Sequence, residues 1–294
     1  MGHSFSTWLY AIRPHTLGAS IAPMIIVMGA LLQEGVMRWS LFFLCFIVAL
    51  SAQIASNFAN DYFDYYGGKD TDARVGFERL LSTGKVTPRA MLYALILALT
   101  ITAVAGLALA YIQGWYLLLI GLCVLLGAVG YSAGGAYSLS SLGLGDVAVV
   151  LFYGLVPIMG TWQALVGTPP LFLFFLALGI GLWEANILVA NNYRDYDEDL
   201  RSGKRTLIVR FGRSSGPILY RLYALLALCS FTIGLLLQGE GASIIIVVAF
   251  LAAIFWIGSH LISRYEGVEL NRLLRYTSMQ SLVVAVIIFV SLLF

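Results

Sequence analysis

The chain has 294 residues, of which 60% are hydrophobic and only 11% charged, and its formal net charge is +2. A soluble domain carries charge on about a quarter of its residues, so this composition excludes a water-soluble globule and gives no basic field for a nucleic-acid partner. Runs of roughly 18 or more apolar residues, each long enough to cross a bilayer, recur along the whole length. They predict an all-α, polytopic membrane protein with a single domain over residues 1–294.

In chain order, the first ten residues lack the basic n-region and small-residue cleavage site of a signal peptide, and Arg13-Pro14 interrupts them before the first long apolar run. Hydropathy then places nine spans at about 16–32, 39–60, 90–112, 115–132, 145–166, 170–192, 216–237, 242–263 and 273–293. Nine helices of this kind make a bundle around a central cavity. Threaded with the N-terminus inside, the spans put sixteen of the seventeen Lys and Arg residues on one side and only Arg38 on the other. The positive-inside rule therefore predicts a multi-pass protein of the cell (inner) membrane with its N-terminus and polar loops in the cytoplasm. Cys45, Cys123 and Cys229 are scattered within apolar spans without metal spacing, which predicts packing residues rather than a disulfide or zinc site.

Two inner connections carry the polar chemistry. The first follows the second span and begins Asn57-Phe-Ala-Asn-Asp-Tyr-Phe-Asp64; the second follows the sixth span and begins Asn191-Asn-Tyr-Arg-Asp195. Each holds Asn-x-x-x-Asp at the end of an apolar helix, and Gly followed by Lys comes after it. This is an internal repeat with one carboxylate-rich helix end in each half, at matched membrane depth. Positions i and i+4 share a helix face. Asn60 with Asp64, and Asn191 with Asp195 and Asp199, thus form two columns of oxygen ligands, while Asp61 lies about 100° off its column. Intramembrane ionisable residues are costly and read as functional by default.

Several carboxylates converging beside a hydrophobic cavity would repel one another and take up protons unless a cation intervened. All-oxygen ligation suits Mg²⁺, which keeps waters and is shared between carboxylates and substrate phosphates. Lys69 and Arg74 after the first motif, and Arg194, Lys204 and Arg205 beside the second, point to an anionic ligand, for which a diphosphate fits best. Asp64, Asp195 and Lys204 are the candidate catalytic residues. Asn60, Asp61, Asp64, Asn191, Asp195 and Asp199 are the candidate metal ligands. A third inner connection, from Tyr131 to Asp146, is Gly-rich and uncharged until Asp146. With Asn57 and Glu184, the latter two turns before Asn191, Tyr131 and Asp146 complete a candidate substrate pocket.

With these residues in view, the chain resembles the UbiA superfamily of intramembrane prenyltransferases, most closely its 1,4-dihydroxy-2-naphthoate prenyltransferase branch. The likeness runs nearly end to end. It includes Arg13-Pro14-x-Thr16-Leu17, the two Asn/Asp strings, Gly143-Leu-Gly145 and Gly203-Lys-x-Thr-Leu207. It implies a nine-helix bundle whose two aspartate-rich motifs bind Mg²⁺ and the diphosphate of a polyprenyl donor. It also implies prenylation of an aromatic acceptor, dihydroxynaphthoate, with loss of its carboxylate, next to the lipid bilayer. Two departures stand out. Gly68 replaces a third motif carboxylate, leaving Asp61 or Asp70 to substitute. The Tyr131–Leu139 loop reads Tyr-Ser-Ala-Gly-Gly-Ala-Tyr-Ser-Leu, without the branch's prolines. Other readings are transfer to a different aromatic acceptor, of the 4-hydroxybenzoate or homogentisate type, and secondary transport through a pseudo-repeat.

Overall fold

The computed structural model describes residues 5–67, 79–239 and 243–294. Every regular element among them is helical. A short amphipathic α1, Phe5–Ile12, leads into α2, Pro14–Gln33, which is followed by α3, Trp39–Tyr66, α4, Pro88–Gln113, and α5, Leu117–Gly130. The next membrane helix is α6, Gly145–Leu165, and then comes α7, Leu171–Arg194. Short α8, Tyr196–Arg201, and α9, Leu207–Phe211, lead into α10, Ser215–Gln238, α11, Ser243–Ile262, and α12, Leu270–Leu293.

Eight of the apolar helices are long enough to cross a membrane; α5, with 14 residues, is not. At 1.5 Å per residue it reaches only about 21 Å, short of the ~30 Å hydrocarbon core. Among the described residues the expected nine spans are thus eight full spans and one short helix. The 28-residue α3 errs the other way. Its backbone ladder continues well past the last purely apolar turn, to about 42 Å, so Asn60 to Asp64 extend beyond the ~30 Å apolar thickness on a rigid helix.

Helix α7 is the hub. Two thirds of its apolar window is buried, against about a fifth for α11 (67% and 22%). It packs on α10, α12 and α6, while α3 pairs with α4 and α2 with α12. Lipid is as apolar as leucine, so close backbone approach rather than hydrophobic burial holds such helices together. At the α6–α7 crossing, Gly154 lies against Gly181, and a Cβ on Gly154 would stand 2.4 Å from the Ala177 carbonyl oxygen. The same stretch of α6 contains one π-helical turn, Leu151–Leu155, closed by the Val156 N–H on the Leu151 carbonyl immediately before Pro157. The wider turn accommodates a residue with no N–H of its own. Large apolar side chains such as Leu119, Tyr93, Ile245 and Trp256 coat the outside, as an integral membrane protein requires. Cys45 is buried, whereas Cys123 and Cys229 lie on this outer surface, so only the first packs inside as expected.

Candidate functional site

The ends of α3 and α7 meet at a polar chamber of about 60 Å³. Asn60 and Asp64 enter it from α3, Asn191 and Asp195 from α7, and Lys204 and Asp146 complete its polar wall. The two repeated motifs therefore face one another across a single space. Backbone bonds from Asp195 to the Asn191 carbonyl (3.0 Å) and from Asp199 to the Asp195 carbonyl (2.8 Å) carry helical register through the break between α7 and α8. That continuity keeps Asn191 and Asp195 on the chamber side.

Each motif is locked by an arginine. Arg79 donates to Asp61 at 2.7 Å and to Asp64 at 2.9 Å, and its reach extends to the Asn60 amide oxygen at 3.4 Å. Arg194 forms a two-pronged pair with Asp195, both contacts 2.6 Å, and also donates to Asn191 at 2.8 Å and Asn271 at 2.7 Å. Such forked, charge-assisted contacts fix geometry as well as charge. Arg79 went unnoticed as a site residue in the sequence. It lies fifteen residues beyond Asp64 in the chain, and nothing in its spacing sets it apart from Lys85 or Arg89.

Asp61 is buried but does not line the chamber. As its 100° offset implies, it faces sideways, where it holds both Arg79 and Arg13, the latter at 2.8 Å. Arg13 adopts a left-handed backbone, φ 57°, directly before Pro14. That conformation is disfavoured for a bulky residue, and the Asp61 ion pair is one contact that offsets it. Asp199 also stands behind the chamber rather than in it, 3.0 Å from the Lys204 ammonium. Gly203, φ +74°, turns the chain so that the Lys204 N–H bonds back to the Asp199 carbonyl at 3.0 Å. This is the left-handed helix stop for which glycine is preferred, and it aims Lys204 inward. Burial acts to lower the Lys204 pKa, but Asp199, Asp64 and Asp195 outweigh it and raise the ammonium above its ordinary value.

Arg205, one residue on, is exposed and does not line the chamber. Its backbone instead ties the third loop down, donating to the Ser141 carbonyl at 2.9 Å. Gly143, φ +74°, permits this approach, because a Cβ there would lie 2.2 Å from the Arg205 carbonyl oxygen. Lys69, Arg74 and Asp70 lie outside the described residues.

Two further cavities continue from the chamber. A middle cavity of about 190 Å³ shares Asn60, Arg79, Tyr131, Leu188 and Asn191 with it, and carries Asn57 and Glu184 on its walls. An almost wholly apolar cavity of about 130 Å³, between α2 to α6, shares Gln53, Ser56, Tyr131 and Tyr153 with the middle one. Tyr131 lines all three. Loss of water around its phenol, with Tyr153, Asp146, Asp199 and Asp64 nearby, raises its pKa well above the usual range. Asn57 donates to the Ile12 carbonyl at 2.8 Å and to the Thr16 hydroxyl at 3.0 Å, so its amide braces the wall.

The oxygen donors of the chamber, among them the Asn60 and Asn191 amides and the Asp64 and Asp195 carboxylates, fit a hard divalent cation that retains waters. Among the described residues no three Asp, Glu, His or Cys side chains gather to enclose an ion unaided, and a cation there would share its coordination with a ligand. The arrangement suits an anionic head in the chamber and an apolar tail beyond it.

A bundle of apolar helices with paired Asn/Asp motifs at one end defines a class of membrane enzyme, and residues 21–286 match the UbiA prenyltransferase family model. The chain belongs to that family. Among its relatives, the 1,4-dihydroxy-2-naphthoate octaprenyltransferase of Mycobacterium leprae is 36% identical over 227 residues, covering 74% of each chain. The protein of the same name from Escherichia coli is 33% identical over 211 residues, covering 70% of this chain and 68% of its own. A solved UbiA homolog from Archaeoglobus fulgidus bound to GPP and Mg2+ superposes with a TM-score of 0.70 at 16% identity, covering 97% and 99% of the two chains. The fold is thus the UbiA fold, and family membership sets the transporter reading aside.

Proposed function

We propose that the chain transfers a polyprenyl group from an allylic diphosphate to 1,4-dihydroxy-2-naphthoate, with loss of the ring carboxylate, giving demethylmenaquinone. The observation that carries this reading is the convergence of both Asn/Asp motifs on one polar chamber that opens into an apolar cavity. The names of the relatives at 33–36% identity support the acceptor, and the Mg2+ and GPP bound by the Archaeoglobus homolog support the donor and metal.

Asn60, Asp64, Asn191 and Asp195 would hold Mg²⁺, which when bound neutralises the departing diphosphate. Lys204, Arg79 and Arg194 bind phosphate oxygens and supply positive charge fixed in place before the C–O bond breaks, the arrangement that lowers the barrier most. Asp61 and Asp199 keep those cations aimed. The apolar walls hold the prenyl tail and keep water from the allylic cation until the aromatic ring captures it. The basic side faces the cytoplasm of the cell membrane, where charged substrates arrive.

The test is expression in a host lacking its own menaquinone prenyltransferase, with product mass as the readout. Asp64→Ala and Asp195→Ala should each abolish product while the protein stays monodisperse in detergent. Wild-type activity in either variant, or a product built on another aromatic ring, overturns the assignment.

A further inference from the structure

Glu184 is the only carboxyl group among the described residues lining the middle cavity. It is 2% exposed, and neither of its oxygens accepts a hydrogen bond of normal geometry, the Ser281 hydroxyl being a donor within reach. The Ser281 hydroxyl beside it is committed at 2.9 Å to the Ser278 carbonyl of its own helix. A buried polar group without a partner is costly, and a purely structural acid would satisfy its oxygens. Glu184 instead lines a cavity with acceptors that no well-formed protein hydrogen bond fills.

Its position along α7 is specific. Seven residues before Asn191, it lies two turns, or about 10 Å, deeper than the chamber. There the walls change from charged to apolar, at the depth where the first carbons of a chamber-bound allylic diphosphate would meet an acceptor. Part of the surrounding wall is a fixed hydrogen-bonded rail. Tyr153 donates to Gln53, Gln53 donates to Thr16 at 3.1 Å, and Thr16 in turn donates to the Arg13 carbonyl at 3.0 Å. The titratable groups sharing the cavity are Arg13, His15, Arg79, Tyr131, Tyr153 and Arg194. The three arginines are held by Asp61, Asp64 and Asp195, which leaves Glu184 as the one acid on the cavity wall among the described residues.

We propose that Glu184 is the general base of the acceptor subsite, receiving the proton of a ring hydroxyl as the ring attacks. This rests on the function proposed above. The C1–O pair leaves with the diphosphate, and a ring π pair forms the new bond to C1 at the carbon bearing the carboxylate. The O–H pair becomes a ring carbonyl as the proton passes to the Glu184 carboxylate. CO₂ then departs, its C–C pair restores the aromatic ring, and Glu184 returns the proton to the oxygen. No oxidant or further reactant is needed.

The experiment compares wild type, Glu184→Gln and Glu184→Asp in detergent with Mg²⁺, geranyl diphosphate and dihydroxynaphthoate. Glu184→Gln should lower kcat about 100-fold, within the range for general-base removal. It should also flatten the low-pH limb of the kcat/KM profile and leave calorimetric binding of geranyl diphosphate unchanged. Glu184→Asp should restore part of the rate and the limb. A wild-type rate and profile in Glu184→Gln overturns the inference, as does equal loss of donor binding. The wild-type enzyme gives an independent arm that needs no variant. At least one of the two monomethyl ethers of dihydroxynaphthoate should fail as acceptor, and turnover of both at the parent's rate refutes the proton transfer. If wild type prenylates a different phenol but not dihydroxynaphthoate, the proposed function fails while Glu184 is judged on that phenol by the same measurements.

Discussion

Arg79→Ala is the sharpest perturbation of the donor site. In the folded chain the guanidinium bridges Asp61 and Asp64 at 2.7 and 2.9 Å, with side-chain exposures of 7% for Arg79, 5% for Asp61 and 7% for Asp64. Removing one partner of a buried pair costs roughly 3–5 kcal/mol, since the remaining charge is left uncompensated. Asp61 keeps Arg13 at 2.8 Å and Asp64 stays close to Lys204, so the lower end, about 3 kcal/mol, is expected for the metal-free protein. Mg²⁺ at Asp64 would recover part of it. Thermal unfolding in detergent should therefore drop in Arg79→Ala, and Mg²⁺ with geranyl diphosphate should raise the variant's midpoint more than the wild type's. In turnover, loss of one fixed donor to a developing anion costs about 10²–10³ in kcat. Arg79→Lys, which keeps the charge but not the fork, should fall between. The exposed Arg89 serves as control, and Arg89→Ala should match wild type. Prenyl transfer by Arg79→Ala within threefold of wild type would refute the placement of this arginine on the diphosphate.

Asp61→Asn tests positioning as distinct from metal ligation. With Arg13 and Arg79 less firmly held, the KM for donor should rise about tenfold while the Mg²⁺ concentration giving half-maximal rate stays put; a shift in that concentration instead would return Asp61 to the metal. Lys204 yields a pH prediction. Its ammonium is held above the ordinary value of 10.5 by Asp199, Asp64 and Asp195 despite burial. A raised folded pKa means that the Lys204–Asp199 contribution is complete below about 10.5 and fades only as pH climbs through the higher folded value. The activity ratio of wild type to Lys204→Gln should therefore be flat from about pH 6 to 9, and a ratio that changes tenfold across that window would contradict it. Gly154→Ala forces a methyl to within 2.4 Å of the Ala177 carbonyl and 2.7 Å of the Gly181 Cα. Overpacking of this kind costs about 1–3 kcal/mol, measured as a lower unfolding midpoint, whereas an unchanged midpoint would mean that α6 and α7 are not in register there.

Much of the bundle was legible because a bilayer imposes a length. A helix must carry about 20 apolar residues to cross it, and runs of that length mark most of the spans. The same physics exposed Asp64 and Asp195, since a carboxylate at the end of such a run is expensive, and a repeat at i and i+4 assigns a face without any coordinates. The end of α3 was less legible. Hydropathy stops near Asn60, but the backbone ladder runs on to Tyr66, because helical hydrogen bonds do not depend on the side chains being apolar. For α5, apolar character continued beyond the helix, so composition overstated its reach.

Arginine and lysine roles were the least legible part, because in a loop between membrane helices every cation satisfies the same topological rule. Lys204 and Arg205 are neighbours of like charge, yet a left-handed glycine turns one into the chamber and leaves the other outside. Arg79, fifteen residues beyond Asp64, meets Asp61 and Asp64 only in the folded chain. Alone, the sequence determined the membrane-spanning helices and marked the two carboxylate-rich helix ends that face one another, since these follow from local composition and helical period. Tertiary structure decided which cations meet those carboxylates and which acid, Glu184, lines the middle cavity. Those contacts join residues far apart in the chain, and only the packing of α7 against its neighbours brings them together.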